Sequence, residues 1–336
     1  MVKVGKQSWT LNQRVYIQET GTSVGPKESR GPLGDTFDKS YDNLYCGEDN
    51  WEMAERKLLQ DAIQITLEKA GLKQQHIDMF IAGDLLNQNV SANYTARDMD
   101  MSYLGMFGAC STSMETLAVA SQLVDAGVAD RILTAVCSHN ATAERQFRFP
   151  TEYGNQKPAT ATSTATGAGC ALVSREKSPI RIEGATIGKV VDFGATNAFD
   201  LGSAMVPAAY DTIKRHLSDF GRTPADYDLI VTGDLSSVGS PILKDMLRSD
   251  GINIDAVHKD CGNLLYNSDQ GMLAGGSGTA CSAIVTYSHL LDEMRKGTYK
   301  RILVTATGAL MNPTLIRQKE SIPAIAHSVV LVREEE

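Results

Sequence analysis

Asp78-Met79-Phe80-Ile81-Ala82-Gly83-Asp84-Leu85 returns 150 residues later as Asp228-Leu229-Ile230-Val231-Thr232-Gly233-Asp234-Leu235, with four of the eight positions identical. A short apolar run of this kind is the pattern of a strand covered on both faces. Working outward, Gly71 and Gly221 keep the same offset, and each ends an amphipathic helical stretch. Arg131-Ile132-Leu133 returns as Arg301-Ile302-Leu303, now 170 residues on. Gly108 and Gly278 share that second offset, and both open a small-residue helix. Residues 171–176 resemble residues 329–334. Five matches in preserved order mark an internal duplication, with halves at residues 1–178 and 179–336.

Each half reads as a strand, a long loop, an amphipathic helix, an apolar strand, a buried helix, a second apolar strand and a terminal strand. Near residues 51–70, Met53, Leu58, Ala62, Ile65 and Leu67 fall among charges at helical period. Met114, Leu117, Ala118 and Val124 do the same over residues 111–127, with Gly127 as the stop. Short apolar strands alternating with helices predict an α/β fold with a mostly parallel sheet. Residues 21–50 and 140–166 read as excursions over the surface or into a partner interface.

Hydrophobic residues make up 42% of the 336 and charged residues 21%, the composition of a soluble globular protein. The net charge of −8 argues against a nucleic-acid surface, which needs clustered Lys and Arg. A local basic pocket on an acidic protein still suits an anionic ligand. Residues 1–10 lack the apolar core of a signal peptide. No apolar run of about 18 residues is present to span a bilayer, so membrane contact is expected through a partner. No pair of the cysteines at 46, 110, 137, 170, 261 and 281 has CxxC spacing, so no metal is expected. Neither glycine cluster forms GxGxxG, so no nucleotide or other cofactor is expected.

Four of the cysteines lie in apolar or small-residue surroundings and read as small buried hydrophobes. Cys110 differs. Gly108-Ala109-Cys110-Ser111-Thr112-Ser113 joins a predicted strand to a predicted helix. A thiol there faces free backbone N–H groups and the positive helix end, which lower its pKa and supply an oxyanion hole or anion cradle. The local sequence leaves two readings open: a reactive thiol, or a small residue in a tight junction.

The elbow at Cys110, followed by its small-residue helix, resembles the nucleophile elbow of the thiolase superfamily. That superfamily includes thiolases and ketoacyl synthases and is built from two duplicated halves. The resemblance covers nearly the whole chain and implies a thiolase-like fold, with its halves in a five-layered α-β-α-β-α arrangement. It also implies a homodimer, with residues 140–157 as interface material. Asn140-Ala141-Thr142-Ala143-Glu144-Arg145-Gln146-Phe147-Arg148-Phe149-Pro150, Gly233-Asp234-Leu235 and Lys319-Glu320-Ser321-Ile322-Pro323 narrow the likeness to a branch found in spore-forming bacteria. Membership of that branch implies binding of dipicolinic acid (pyridine-2,6-dicarboxylate), free or as its calcium chelate, for uptake into the developing spore and release in germination. It also implies work with membrane proteins of the same operon, and peripheral association with the spore inner membrane.

Acyl transfer in the superfamily pairs the cysteine with two histidines, or with a histidine and an asparagine. The resemblance puts the first helper at Gly233, beside Thr232 and Asp234. Aligned on Gly275-Gly276-Ser277-Gly278, the second falls near Met272, with Asn263 as its substitute across an insertion. No histidine stands at the first position, so a binding protein is expected rather than an enzyme. The alternative is an acyltransferase or ketoacyl synthase-like enzyme using Cys110.

Among the six histidines, His76 and His216 are expected on exposed helix faces, His289 packed, and His258 in a polar loop. His139, at the C-terminal end of a strand, and His327, in the final strand, are the better ligand candidates. For a flat dianion, the guanidinium forks of Arg145 and Arg148 suit the carboxylates, and Phe147 or Phe149 the ring. Helix starts at Cys110-Ser111 and at Ser277-Gly278 would add backbone donors. Gly167 and Gly169 leave room for close approach to the backbone.

Overall fold

The computed structural model describes residues 2–148 and 156–334. Its first half runs β1 (Val2–Lys3), β2 (Ser8–Val24), β3 (Lys39–Ser40), α1 (Trp51–Ala70), β4 (Met79–Gly83), α2 (Val90–Arg97), β5 (Ser102–Gly105), α3 (Thr112–Asp125), β6 (Arg131–Ser138), α4 (Asn140–Phe147), β7 (Ser163–Thr164) and β8 (Gly167–Ser174). The second runs β9 (Ile180–Ile187), α5 (Leu201–Phe220), β10 (Leu229–Thr232), α6 (Ser236–Ser249), β11 (His258–Asp260), α7 (Cys261–Leu264), β12 (Gly276–Ser277), α8 (Thr279–Val285), α9 (Leu291–Lys296), β13 (Arg301–Ala309), α10 (Pro313–Arg317) and β14 (Ala324–Arg333).

The 150-residue repeat is visible in local chemistry. Asn50 accepts the Met53 N–H at the start of α1, and Asp200 accepts the Ser203 N–H at the start of α5. Both helices are 20 residues long and end on a left-handed glycine, Gly71 (φ 65°) and Gly221 (φ 61°). Asp78 accepts the N–H groups of Asp130 and Arg131, and Asp228 accepts those of Lys300 and Arg301. The α1 stripe is rotated slightly from its predicted position. Ala54, Leu58, Leu59, Ala62 and Ile63 are buried, whereas Met53 is exposed and Ile65 half-buried.

The two halves build the same strand order, β2-β8-β6-β4-β5 and β9-β14-β13-β10-β11. In each, the first two pairings are antiparallel and the last two parallel. β2 and β9 pair antiparallel and join the two. The sheet is therefore mixed rather than mostly parallel, because β8 and β14 run antiparallel to both of their neighbours. α1 packs outside β2, β6 and β8, and α5 outside β13 and β14. α3 and α8 lie between the sheets and touch at Ser113 and Ser282, whose hydroxyls are 2.7 Å apart. This is the expected five-layered arrangement. The central core joins Ile81, Met114, Leu117, Ile132, Val304 and Val329.

The first excursion is shorter and more tightly bound than expected. Residues 21–24 belong to β2, and Glu28 is buried, accepting the Thr166 N–H at 3.0 Å and the Tyr266 hydroxyl. His216 is not exposed. It is buried between Thr186 and Tyr227, each 2.7 Å from a ring nitrogen, because α5 turns that face to β9. Gly167 and Gly169 approach β2 and α8 rather than open space: an added Cβ would meet Ser23 O and Ala283 Cβ at 2.9 Å.

Candidate functional site

The elbow is locked by its own side chains. Ser111 Oγ donates to Gly108 O at 2.6 Å. Thr112 Oγ1 donates to Ala109 O at 2.7 Å and accepts the Gly108 N–H at 2.9 Å. Ala109 takes φ 51°, a strained value for a residue with a Cβ. Gly308 of β13 presses against this turn. A Cβ there would lie 2.2 Å from Gly108 O and 3.3 Å from Cys110 N, so only glycine fits.

Cys110 faces a cavity of about 40 Å³ with mostly apolar walls. Leu85, Phe107, Ala143, Phe147, Leu201, Ala309 and Met311 supply those walls, and Arg148, Thr164, Ser277 and Gly278 the polar atoms. Arg148 is committed elsewhere. Its Nη1 lies 2.5 Å from Glu144 Oε1, which also takes Lys157 at 2.9 Å, and its Nε donates to Ala198 O at 3.4 Å.

Behind the cysteine stands Asp234, buried and close enough for its carboxylate to act on the thiol. Its Oδ1 accepts the Thr307 hydroxyl at 2.6 Å, and its Oδ2 the Gly278 N–H at 3.0 Å. The equivalent in the first half, Asp84, instead accepts the Leu86 and Ala92 N–H groups at the start of α2. In the second half Asp260 takes over that capping, accepting from Leu235 and Ser236, which leaves Asp234 free to turn to the cysteine.

The electrostatics overturn the expectation of an acidic thiol. Burial pushes the Cys110 thiol well above its ordinary range, and the Asp234 carboxylate pushes it further. The Gly278 N–H opposes this only in part. Several of the expected helix-start donors are already used. Ser111, Thr112 and Met114 N–H groups bond to Gly108, Ala109 and Ser111 carbonyls, and Ala280 N–H bonds to Ser138 Oγ. Asp234 itself is raised to about 7 by burial.

Gly233 leaves only tight space for a side chain that could act as helper. An added Cβ would lie 3.1 Å from Ala306 Cα and Thr307 N. Met272 packs in the central core, and Ser277-Gly278 occupies the place beside the cysteine. The chain between Asn263 and Gly275 had displaced that register.

Of the predicted ligand residues, Cys110, Arg148 and Ser277 converge on one cavity. Ser111 braces the elbow from behind. Arg145 points away and pairs with Glu52 over the Trp51 ring. Asn263 reaches Ser240 at 3.4 Å. His139 caps α4 through Nδ1 and donates from Nε2 to Leu44 O at 2.7 Å, and burial lowers it to about 4. His327 is buried within β14, with Nδ1 accepting the Gly188 N–H at 3.3 Å. Phe147 lines the cavity, whereas Phe149 lies outside the described residues. Asp234, Thr307, Leu85, Phe107, Leu201 and Met311 escaped the sequence reading. The repeated Gly-Asp-Leu was the one available signal.

A family model described as Stage V sporulation protein AD matches residues 5–332. The Stage V sporulation protein AD of Bacillus subtilis (strain 168) is 58% identical over 333 residues, covering 99% of this chain and 98% of that protein. Among solved structures, 3-oxoacyl-[acyl-carrier-protein] synthase III from Aquifex aeolicus VF5 superposes with a TM-score of 0.58 at 15% identity, over 95% of this chain and 99% of its own. Human mitochondrial 3-ketoacyl-CoA thiolase does so with a TM-score of 0.60 at 13% identity, over 97% and 100%. At such identities these likenesses concern the fold, which is thiolase-like.

Proposed function

The chain belongs to the Stage V sporulation protein AD family, and from that premise we propose that it is a thiolase-fold protein that binds dipicolinic acid instead of transferring acyl groups. The observation that carries this reading is the pairing of Cys110 with Asp234 where acyl transfer needs a histidine base. A thiol held protonated by burial and a neighbouring carboxylate is a poor nucleophile, because the thiolate is the reactive form. The elbow then serves as one wall of a binding pocket. The ligand binds free or as its calcium chelate, in uptake into the spore and release in germination. At about 40 Å³ the cavity holds little more than water. A pyridine ring therefore needs Phe107, Phe147 and Met311 to swing aside. Isothermal calorimetry with dipicolinate should give saturable heat, and Cys110→Trp, which fills the cavity, should abolish it. Absence of heat and of any thermal shift in the parent protein would sink the binding claim.

The apolar lining favours one second reading, an acyl group on Cys110. In the same experiment series, incubation with acyl-CoA should leave the intact mass unchanged. A mass gain absent from Cys110→Ala would replace binding with transfer.

The chain works as a homodimer beside membrane proteins of the same operon, on the spore inner membrane. No helix among the described residues is long and apolar enough to cross a membrane, so attachment runs through those partners. β5 supports the dimer. It ends the sheet, and Leu104 (43% exposed), Phe107 (49%) and Tyr94 (51%) leave apolar surface around it. Sedimentation should show a dimer that Leu104→Lys converts to monomer; a monomeric parent protein refutes it.

A further inference from the structure

The cavity at Cys110 presents an anion with an electrostatic problem that the surrounding residues do not solve. Asp234 is buried directly behind the cysteine, with its oxygens taken by two neutral donors, Thr307 Oγ1 and the Gly278 N–H. The other titratable groups packed around it are Asp260 at the end of β11 and the buried thiols Cys261 and Cys281. None of these is a cation. Among the described residues, the one cationic side chain lining the cavity, Arg148, is paired with Glu144. An ionised Asp234 and a bound carboxylate would thus be two like charges in a poorly solvated site, separated by one thiol. Like charges so placed cannot both persist, and the cheaper remedy is for one to take a proton.

We propose that Asp234 is the residue that admits an anion to this pocket, by entering the bound state as the neutral acid, so that each ligand anion brings one proton with it from solution. The inference rests on the dipicolinate-binding reading and adds its proton stoichiometry. The balance is simple: the ionised protein, the ligand dianion and one solvent proton give a complex in which Asp234 carries that proton. As the acid, Asp234 donates where its ion only accepted. The Cys110 thiol can then turn its S–H to the incoming carboxylate.

The pH dependence follows from the free protein. Asp234 there titrates at about 7, raised by burial. Below that the carboxyl is already neutral and binding is insensitive to pH. Above it, a proton must be taken up, and the apparent dissociation constant rises about tenfold per pH unit. The ligand's own carboxyls, as ordinary acids, stay ionised throughout this range.

The test is calorimetry of the full-length protein with calcium-free dipicolinate at pH 8, in phosphate and in Tris. These buffers differ in their heat of ionisation, so the difference in binding heat counts protons without any mutation. Uptake approaching one proton per site is expected. Asp234→Asn should bind with a flat profile from pH 6 to 8.5, and at pH 8 about tenfold more tightly than the parent. Saturable binding with no proton uptake overturns the proposal while leaving the function reading intact. So does an Asn variant that keeps the parent's pH slope. Binding that demands calcium and takes up no proton also overturns it, because the cation then neutralises Asp234. No binding at any pH removes both the proposal and the reading beneath it.

Discussion

Gly308→Val should cost about 3 kcal/mol or more of folding stability and abolish any binding at Cys110. The position lies inside β13, where β-branched residues are normally welcome. Here the first atom of any side chain would sit 2.2 Å from the Gly108 carbonyl oxygen, which is backbone and cannot swing aside. The strand or the elbow must shift, and the elbow is already committed to φ 51° at Ala109 and three hydrogen bonds from Ser111 and Thr112. Gly71→Ala is the control. Gly71 has a left-handed φ but nothing within 4 Å of its Cβ position, so its cost is only about 1 kcal/mol. Urea denaturation of both variants decides the matter: equal losses would show that β13 does not press on the cysteine turn.

Stability should peak near pH 6 and fall on both sides. On the alkaline side the cause is buried carboxyls whose folded pKa exceeds the unfolded one. Asp234 and Glu115 are raised by burial to about 7, from 3.8 and 4.5. Such groups bind more protons folded than unfolded, so the stability they confer is lost as pH rises through the folded value. Between pH 6 and 8 each loses about 1.4 kcal/mol, about 3 kcal/mol together. Asp84 and Asp260, near 6, add to the loss. On the acid side His139, His258 and His327 are lowered to about 4 and His216 to about 3, all by burial. Their unfolded value is 6.5, so the unfolded chain takes up protons first and stability drains as pH falls from there towards 4. Melting temperatures across pH 5 to 9 test this directly. A curve still rising from pH 6 to 8 would mean that Asp234 and Glu115 are not buried as acids.

The duplication was legible because it is written in residues whose roles are local. Asp78 and Asp228 grip the next strand, Gly71 and Gly221 stop a helix, and the runs after each aspartate are apolar because both sheet faces are covered. Strand direction was not legible. β8 and β14 are apolar runs like any other, and nothing in Gly167–Ser174 or Ala324–Arg333 says that they run against their neighbours. His216 looked exposed because its partners, Thr186 and Tyr227, are brought to it only by β9 and the turn after α5. At the site, Cys110 was found through its turn. Asp234 was passed over because its sequence context is that of Asp84, and the difference between them lies in Asp260, 26 residues away.

The seam between the half-sheets bears on how the chain is made. Ser8, Trp9 and Thr10 of β2 pair with Thr186, Ala185 and Gly184. The Tyr16 hydroxyl, in the same strand, donates to Glu334, which also binds Arg181. During translation the leading strand thus emerges with half of one edge unmatched until more than half the chain has followed. Its tie to Glu334 forms only after β14 has emerged. The first half can close its own pairings early, but the seam cannot, and the β9-facing edge of β2 is the segment that must be kept from pairing with strangers while it waits.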